Sequence, residues 1–218
     1  MHYQLIIFDM DGTVLDTLDD LMNSLNHALS CHHLPLRTRE EVRSMIGNGI
    51  RRLVELGVPE GSSADLVDQV FADFVPHYEQ HCLDLTKPYE GILPLLKQLK
   101  SEGYLLAVVS NKADYAVQAL SQKYFSDLFD VAVGERPDIR KKPAPDSVNQ
   151  VIKQLAADHE HTLYVGDSEV DIATCHNAHL DLILVDWGFR NREQLFKMGG
   201  KVIISRPDEL NHYLMATS

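Results

Sequence analysis

The sequence is short of positive charge: 20 lysines and arginines stand against 32 aspartates and glutamates, a formal net charge of -12. A nucleic-acid-coating surface needs basic patches, and the densest basic run is only Arg140-Lys141-Lys142, so no nucleic-acid partner is expected. Cysteine is scarce as well. Cys31, Cys82 and Cys175 are odd in number and widely scattered, which excludes a disulfide framework or a cysteine zinc cluster and suits a reducing compartment. Long apolar runs are missing too: Leu105 to Val109 and Leu182 to Val185 fall far short of the roughly 20 residues of a membrane span. No secretory pattern of basic, apolar and cleavage regions follows Met1, so a cytoplasmic protein with no membrane partner is expected.

What the chain does have is 218 residues, 44% of them hydrophobic, enough for one large domain or a domain carrying a smaller insertion. Tyr3 to Asp9 reads as a strand buried on both faces, and Tyr104 to Ser110, Thr162 to Asp167 and Leu180 to Asp186 look alike. Phe129 to Val133 and Lys201 to Ser205 are shorter candidates. Helical patterns lie between them: Ile92, Leu95, Leu96 and Leu99 share a face ahead of Gly103, and Pro145 opens a helix whose inner side is Val148, Val151, Ile152 and Leu155. Strands alternating with helices predict an α/β, doubly wound parallel sheet. The stretch from about Leu15 to Cys82 breaks the alternation and reads as helical throughout. Its signals are a Leu18-Leu21-Met22-Leu25-Ala28-Leu29 stripe, a Thr38/Glu41 capping box, a short helix over Gly49 to Gly57, and a stripe from Leu66 to Tyr78 interrupted near Pro76. The expected division is a core of residues 1–14 and 84–218 with an all-helical insertion over 15–83.

Ligands of open parallel sheets bind outside the carboxyl ends of the strands, and here those ends are rich in carboxylates. The first strand ends in Asp9-Met10-Asp11-Gly12-Thr13, another in Ser110-Asn111-Lys112, a third in Gly166-Asp167-Ser168 with Asp171 one helical turn on. Four carboxylates in one crevice need compensating charge. An oxygen-only donor set without histidine or cysteine suits Mg²⁺, and Lys142 in the Lys142-Pro143-Ala144-Pro145 loop supplies a further positive group. Each stretch alone reads as an ordinary turn or helix cap. Their common place at strand ends is what joins them, though spacing leaves open which of Asp9 and Asp11 does what.

Together these four stretches resemble the motifs of the haloacid dehalogenase superfamily of phosphohydrolases, and the helical insertion is similar to that family's four-helix cap. Ile46-Gly47-Asn48-Gly49, Tyr89-Glu90-Gly91 and Asp186-Trp187-Gly188-Phe189-Arg190 further resemble the phosphoglycolate phosphatases. One departure is Ala178-His179, where the family usually has Ala-Gly. The resemblance implies that Asp9 is the nucleophile, forming an aspartyl-phosphate, and that Asp11 protonates the leaving oxygen and then activates water. It implies Mg²⁺ on Asp9, the Asp11 carbonyl and Asp167, with Asp171 acting through water or a further contact. Ser110, Lys142 and backbone amides around Met10, Asp11 and Asn111, beside Gly12 and Thr13, would hold the phosphoryl oxygens.

The expected substrate is a small phosphorylated metabolite, 2-phosphoglycolate first, taken by a monomer or homodimer. Inorganic pyrophosphatase, a β-phosphoglucomutase-like phosphosugar mutase and a non-enzymatic binding protein are the alternatives. In the insertion, the amides of Gly47-Asn48-Gly49 and the side chains of Arg51 and Arg52 are candidates to meet an anionic substrate group, and the segments near Asp16 and Thr86 are candidate hinges. His77 and His81 lack a third ligand and read as a polar helix face, and Trp187 as a packing residue.

Overall fold

Alternation along β1 (Leu5–Phe8) assigns its side chains to two layers. Ile6 and Phe8 join one apolar cluster with Leu106 and Val108, whereas Leu5 and Ile7 join another with Ala107 and Val109, because successive side chains of a strand point to opposite faces. The computed structural model, which describes residues 3–216, builds a six-stranded sheet on this strand. β1 pairs in parallel with β4 (Leu105–Ala113) on one side and β6 (Thr162–Gly166) on the other. β5 (Val131–Glu135) extends the first side and β7 (Asp181–Val185) with β8 (Ile203–Ile204) the second, all in parallel. Strand order therefore reverses at β1, which opens a crevice at its carboxyl end. Crossovers are made by α5 (Ile92–Ser101), α6 (Asp114–Tyr124), α7 (Asp146–Gln154), α8 (Glu169–Ala178) and α9 (Arg192–Lys197), and α10 (Asp208–Ala216) closes the described chain. The doubly wound class expected from the sequence is what forms.

Between β1 and α5 the chain makes α1 (Leu18–Cys31), α2 (Arg39–Met45), α3 (Ile50–Gly57) and α4 (Ala64–His81), which share an apolar cluster joined by Ala116 of α6 and by Phe189. The expected stripe on α1 is buried except for Met22, and the Thr38/Glu41 capping box closes with both bonds made. Two expectations are corrected. Pro76 does not interrupt α4; its ring lies on the exposed side while Phe74 and Tyr78 anchor the helix on either side of it. Nor is the segment from Leu15 purely helical: β2 (Leu15–Asp16) pairs antiparallel with β3 (Lys87–Pro88), so the two chain passages beside the helical unit are hydrogen-bonded to each other. Buried Asp20 strengthens this ribbon by accepting bonds from the backbone N–H groups of Leu85 and Thr86. His179 takes the left-handed conformation at the end of α8 (φ 55°), which costs an L-residue about 1 kcal/mol.

His77 stacks between His27 and His81 across α1 and α4, with ring centroids 4.0 and 4.3 Å apart, and bonds Ser24. Burial first, then the neighbouring imidazoles, hold its pKa below the usual histidine value. A proton is thus bound more readily by the unfolded chain, so stability present above pH ~6.5 falls as pH drops toward the lower folded-state pKa. Thermal melts between pH 7.5 and 5 should show this fall, and His77→Gln should flatten it. Equal slopes in the two proteins would remove His77 as the cause. No helix among the described residues is long and apolar enough to cross a membrane.

Candidate active site

At the end of β1 the buried carboxylates of Asp9, Asp167 and Asp171 converge, their oxygens lying within 4.8 Å of one another. Lys142, 2% exposed, sits among them with Nζ 3.0 Å from Asp9 Oδ1 and 2.9 Å from Asp171 Oδ1, and it also donates to the Tyr164 hydroxyl. Asp171 is saturated. Its Oδ2 accepts from the amides of Asp167 and Ser168 and from Ser168 Oγ, and its Oδ1 from Lys142 and Tyr164. It therefore anchors Lys142 and the α8 capping box rather than offering a free lone pair. Asp167 Oδ2 accepts from the Phe189 amide at 2.7 Å and Asp9 Oδ1 from the Met10 amide at 2.7 Å, leaving Asp9 Oδ2 and Asp167 Oδ1 without hydrogen bonds. The Met10 N–H is thus occupied by Asp9 itself.

Asp11 stands apart from that cluster, with its carboxylate 3.0 Å from the ammonium of Lys112. The sequence names Lys112 only as the end of the Ser110-Asn111-Lys112 stretch and gives it no role, and the reason it belongs to the site is a bulge. β4 continues beyond its expected end at Ser110, and pairing to β5 jumps from Val109–Val133 to Ala113–Glu135, so four residues advance against two. Such a bulge re-aims side chains, and here Ser110, Asn111 and Lys112 all face the crevice. Four carboxylates against two lysines leave a formal excess of two negative charges in a buried site. Burial first, then Asp171 and Asp11, push Asp9 up to about 7 against the opposing pull of Lys142. Burial, then Asp171 and Asp9, likewise hold Asp167 well above the usual carboxylate range. An oxygen donor set of this excess charge fits a hard divalent cation.

A cavity opens over these groups, lined by Asp9, Asp11, Asp167, Ser110, Asn111 and Lys112 below and by Leu21, Ile46, Gly47, Gly49, Ile50 and Leu53 of the helical unit above. Of the residues expected to bind substrate, Asn111, Gly47 and Gly49 reach its wall. Asn111 Nδ2 donates to the carbonyls of Gly47 and Lys142, and its Oδ1 has no partner. Asn48 lies off the wall, its carbonyl accepting from Lys141. Thr13 is fully buried behind the site, with Trp187 Nε1 donating to its carbonyl. The structure corrects Arg51: it turns outward to Glu55 and Asp68 and stacks on Phe71, as Arg52 turns to Glu55. An arginine one helical turn before a glutamate on an exposed face finds that glutamate, a signal the sequence carried.

Two arginines, Arg43 and the Arg190 that closes the Asp186-Trp187-Gly188-Phe189-Arg190 stretch, tie the helical unit to the sheet. Arg43 of α2 donates to the carbonyls of Gly188 and Phe189, and Arg190, itself paired with Glu169, donates back to the carbonyls of Arg43 and Ile46. Backbone carbonyls leave no mark in a sequence, so these partners were not legible.

A sequence profile of the haloacid dehalogenase-like hydrolases matches residues 6–185, a span that holds the four carboxylates and both lysines of this site. The chain belongs to the haloacid dehalogenase-like hydrolase family. Among its relatives, a phosphoglycolate phosphatase of Mesorhizobium japonicum is 31% identical over 196 residues, covering 88% of this chain and 86% of the relative. An N-acetylmuramic acid 6-phosphate phosphatase of Pseudomonas aeruginosa is 29% identical over 212 residues, covering 96% and 94%. A crystal structure from Lactobacillus delbrueckii subsp. bulgaricus, provisionally assigned as a phosphoglycolate phosphatase, superposes with a TM-score of 0.93 at 38% identity and covers 98% of both chains.

Glycine is required at one point of this haloacid dehalogenase-like site for two independent reasons. Gly12 has φ of +81°, and a Cβ there would lie 2.2 Å from Asp167 Oδ2. Gly12→Ala is expected to displace the Asp167 carboxylate, weakening divalent-cation affinity at least ~10-fold, by analogy with the loss of a group that orients a metal ligand. Isothermal titration with Mg²⁺ checks it, and unchanged affinity would show that Asp167 tolerates the shift.

Proposed function

We propose that this haloacid dehalogenase-like phosphatase hydrolyses a small phosphomonoester through an aspartyl-phosphate on Asp9, with Mg²⁺ as cofactor and 2-phosphoglycolate as the favoured substrate. The observation that carries this reading is the division of the two aspartates between two lysines: Asp9 lies with Lys142, Asp167 and Asp171, and Asp11 lies apart on Lys112, facing the cavity. This division supports assigning one carboxylate to phosphorus and the other to the leaving oxygen.

The cation would be held by Asp9, Asp167 and the Asp11 carbonyl, and when bound it neutralises charge on the phosphoryl oxygens. Asp9 attacks phosphorus as the bond to the leaving oxygen breaks, and Asp11 delivers its proton to that oxygen. Asp11 then takes a proton from water as the water oxygen attacks phosphorus, which releases inorganic phosphate and restores the Asp9 carboxylate. Lys142 and Ser110 hold equatorial oxygens throughout, and Asp171 keeps Lys142 in place. The four helices act as a cap whose apolar underside excludes water.

The test is phosphate release with Mg²⁺ from a panel of 2-phosphoglycolate, pyrophosphate, sugar phosphates including N-acetylmuramic acid 6-phosphate, and nucleotides. Release is expected, greatest from 2-phosphoglycolate, and chelation should stop it. No release from any ester would sink the reading. Interconversion of sugar phosphates without net release would replace it with the mutase.

A further inference from the structure

Any charge on the body of the substrate must be met by something in the cavity wall, and the wall offers little. Leu21, Ile46, Ile50 and Leu53 form its upper side, and Arg51 and Arg52 are spent on Glu55 and Asp68 outside. Among the described residues lining the cavity, Lys112 carries the one positive side chain. Its ammonium is 2% exposed in the residue, sits 3.0 Å from Asp11 Oδ1, bonds the Tyr78 hydroxyl of α4 and lies 4.8 Å from that ring's centre. Lys142 is held on the opposite side against Asp9 and Asp171. The two lysines thus flank the reaction, one beside the group that attacks phosphorus and one beside the group that protonates the leaving oxygen.

We propose that Lys112 is the specificity-determining residue for the leaving group, selecting small phosphomonoesters whose alcohol carries a single carboxylate. This rests on the phosphatase reading above. An ammonium has three N–H groups; Asp11 Oδ1 and Tyr78 take the two closer contacts, and the third reaches only Asp11 Oδ2 at 3.3 Å, a long contact that a ligand carboxylate would replace. In a wall otherwise aliphatic, a charge-assisted bond to a carboxylate is strong because little water competes. The same wall disfavours two other kinds of leaving group. One ammonium does not compensate the several charges of a leaving phosphate, and four aliphatic side chains leave the hydroxyls of a sugar unpaired. Tyr78 joins this recognition to cap closure, since it brings its hydroxyl to Lys112 from the helical unit.

The experiment compares kcat/KM for 2-phosphoglycolate with that for 2-hydroxyethyl phosphate, in which a neutral hydroxymethyl group replaces the carboxylate. Wild type should favour the carboxylate by roughly 100-fold, the scale of discrimination that one buried charge-assisted bond supplies. It should also favour 2-phosphoglycolate over pyrophosphate. Lys112→Met should cut the preference for 2-phosphoglycolate over 2-hydroxyethyl phosphate at least tenfold, mainly through KM for 2-phosphoglycolate, and Lys112→Arg should restore most of it. Taking a ratio cancels any general damage to Asp11. A parallel fall on both esters would overturn the inference and leave Lys112 a support for Asp11. Absence of preference in wild type would overturn it without any variant, which covers the case in which Lys112→Met does not fold. Failure of wild type to release phosphate from any ester would instead sink the phosphatase reading and this inference together.

Discussion

Asp9→Asn is expected to lower phosphate release by at least about 10³-fold while leaving the protein folded. The amide keeps the shape of the side chain and can still accept the Met10 N–H, but it is no nucleophile toward phosphorus. Stability should not suffer, because the site carries more negative charge than its lysines compensate and the substitution removes part of that excess. Burial and the neighbouring aspartates already push the Asp9 carboxyl up to about 7, so the fold disfavours its charged form. Phosphate release and a thermal melt, measured on the same preparation without metal, check both halves. Activity within tenfold of wild type would take the nucleophile's role from Asp9. A large drop in Tm would contradict the account of the charge.

Lys142→Met should do the reverse, harming stability and activity together. Its ammonium is the group standing between Asp9 and Asp171, and among the described residues Asp171 has no other cationic partner. Removing one member of a buried ion cluster typically costs about 3–5 kcal/mol, which for a chain of this size is a fall in Tm on the order of 10 °C. Mg²⁺ should recover part of that loss, because a cation that binds only the folded site stabilises it by mass action. Turnover should fall at least ~10²-fold even when the protein is saturated with metal, since in the proposed mechanism the lysine also holds a phosphoryl oxygen as charge develops. A Tm equal to wild type without metal would show that the carboxylates tolerate one another unaided.

The sheet was legible because its strands are buried on both sides, which leaves unbroken aliphatic runs such as Leu5 to Phe8. The placement of Asp9, Lys142 and Asp167 followed from the same runs, since each lies just beyond a strand end or in the loop that follows, whereas Ser110 lies inside a β4 longer than its apolar run. Lys112 was hidden by the bulge in β4: hydrophobic periodicity reports where a strand is buried, not where it slips against its neighbour. β2 and β3 were invisible because two residues each are too short to show any period. Arg51 was misplaced by reading the Gly47-Asn48-Gly49 turn as the start of a ligand-facing helix surface, when Glu55 on the same helix and Asp68 on the next already marked the outward face. The amphipathic stripe of α4 is legible in the sequence, but the tolerance of Pro76 is not, since it depends on the packing of Phe74 and Tyr78 on either side of an exposed ring.

The small antiparallel ribbon of Leu15–Asp16 with Lys87–Pro88 carries a consequence for how such a molecule can diversify. Both passages beside the four helices run through this one seam, so the helices form a graft on an otherwise continuous sheet. Their lineage can drift, trading Leu21, Ile46, Ile50 or Leu53 for side chains that welcome a different alcohol. The carboxylates and lysines at the strand ends need not change with them.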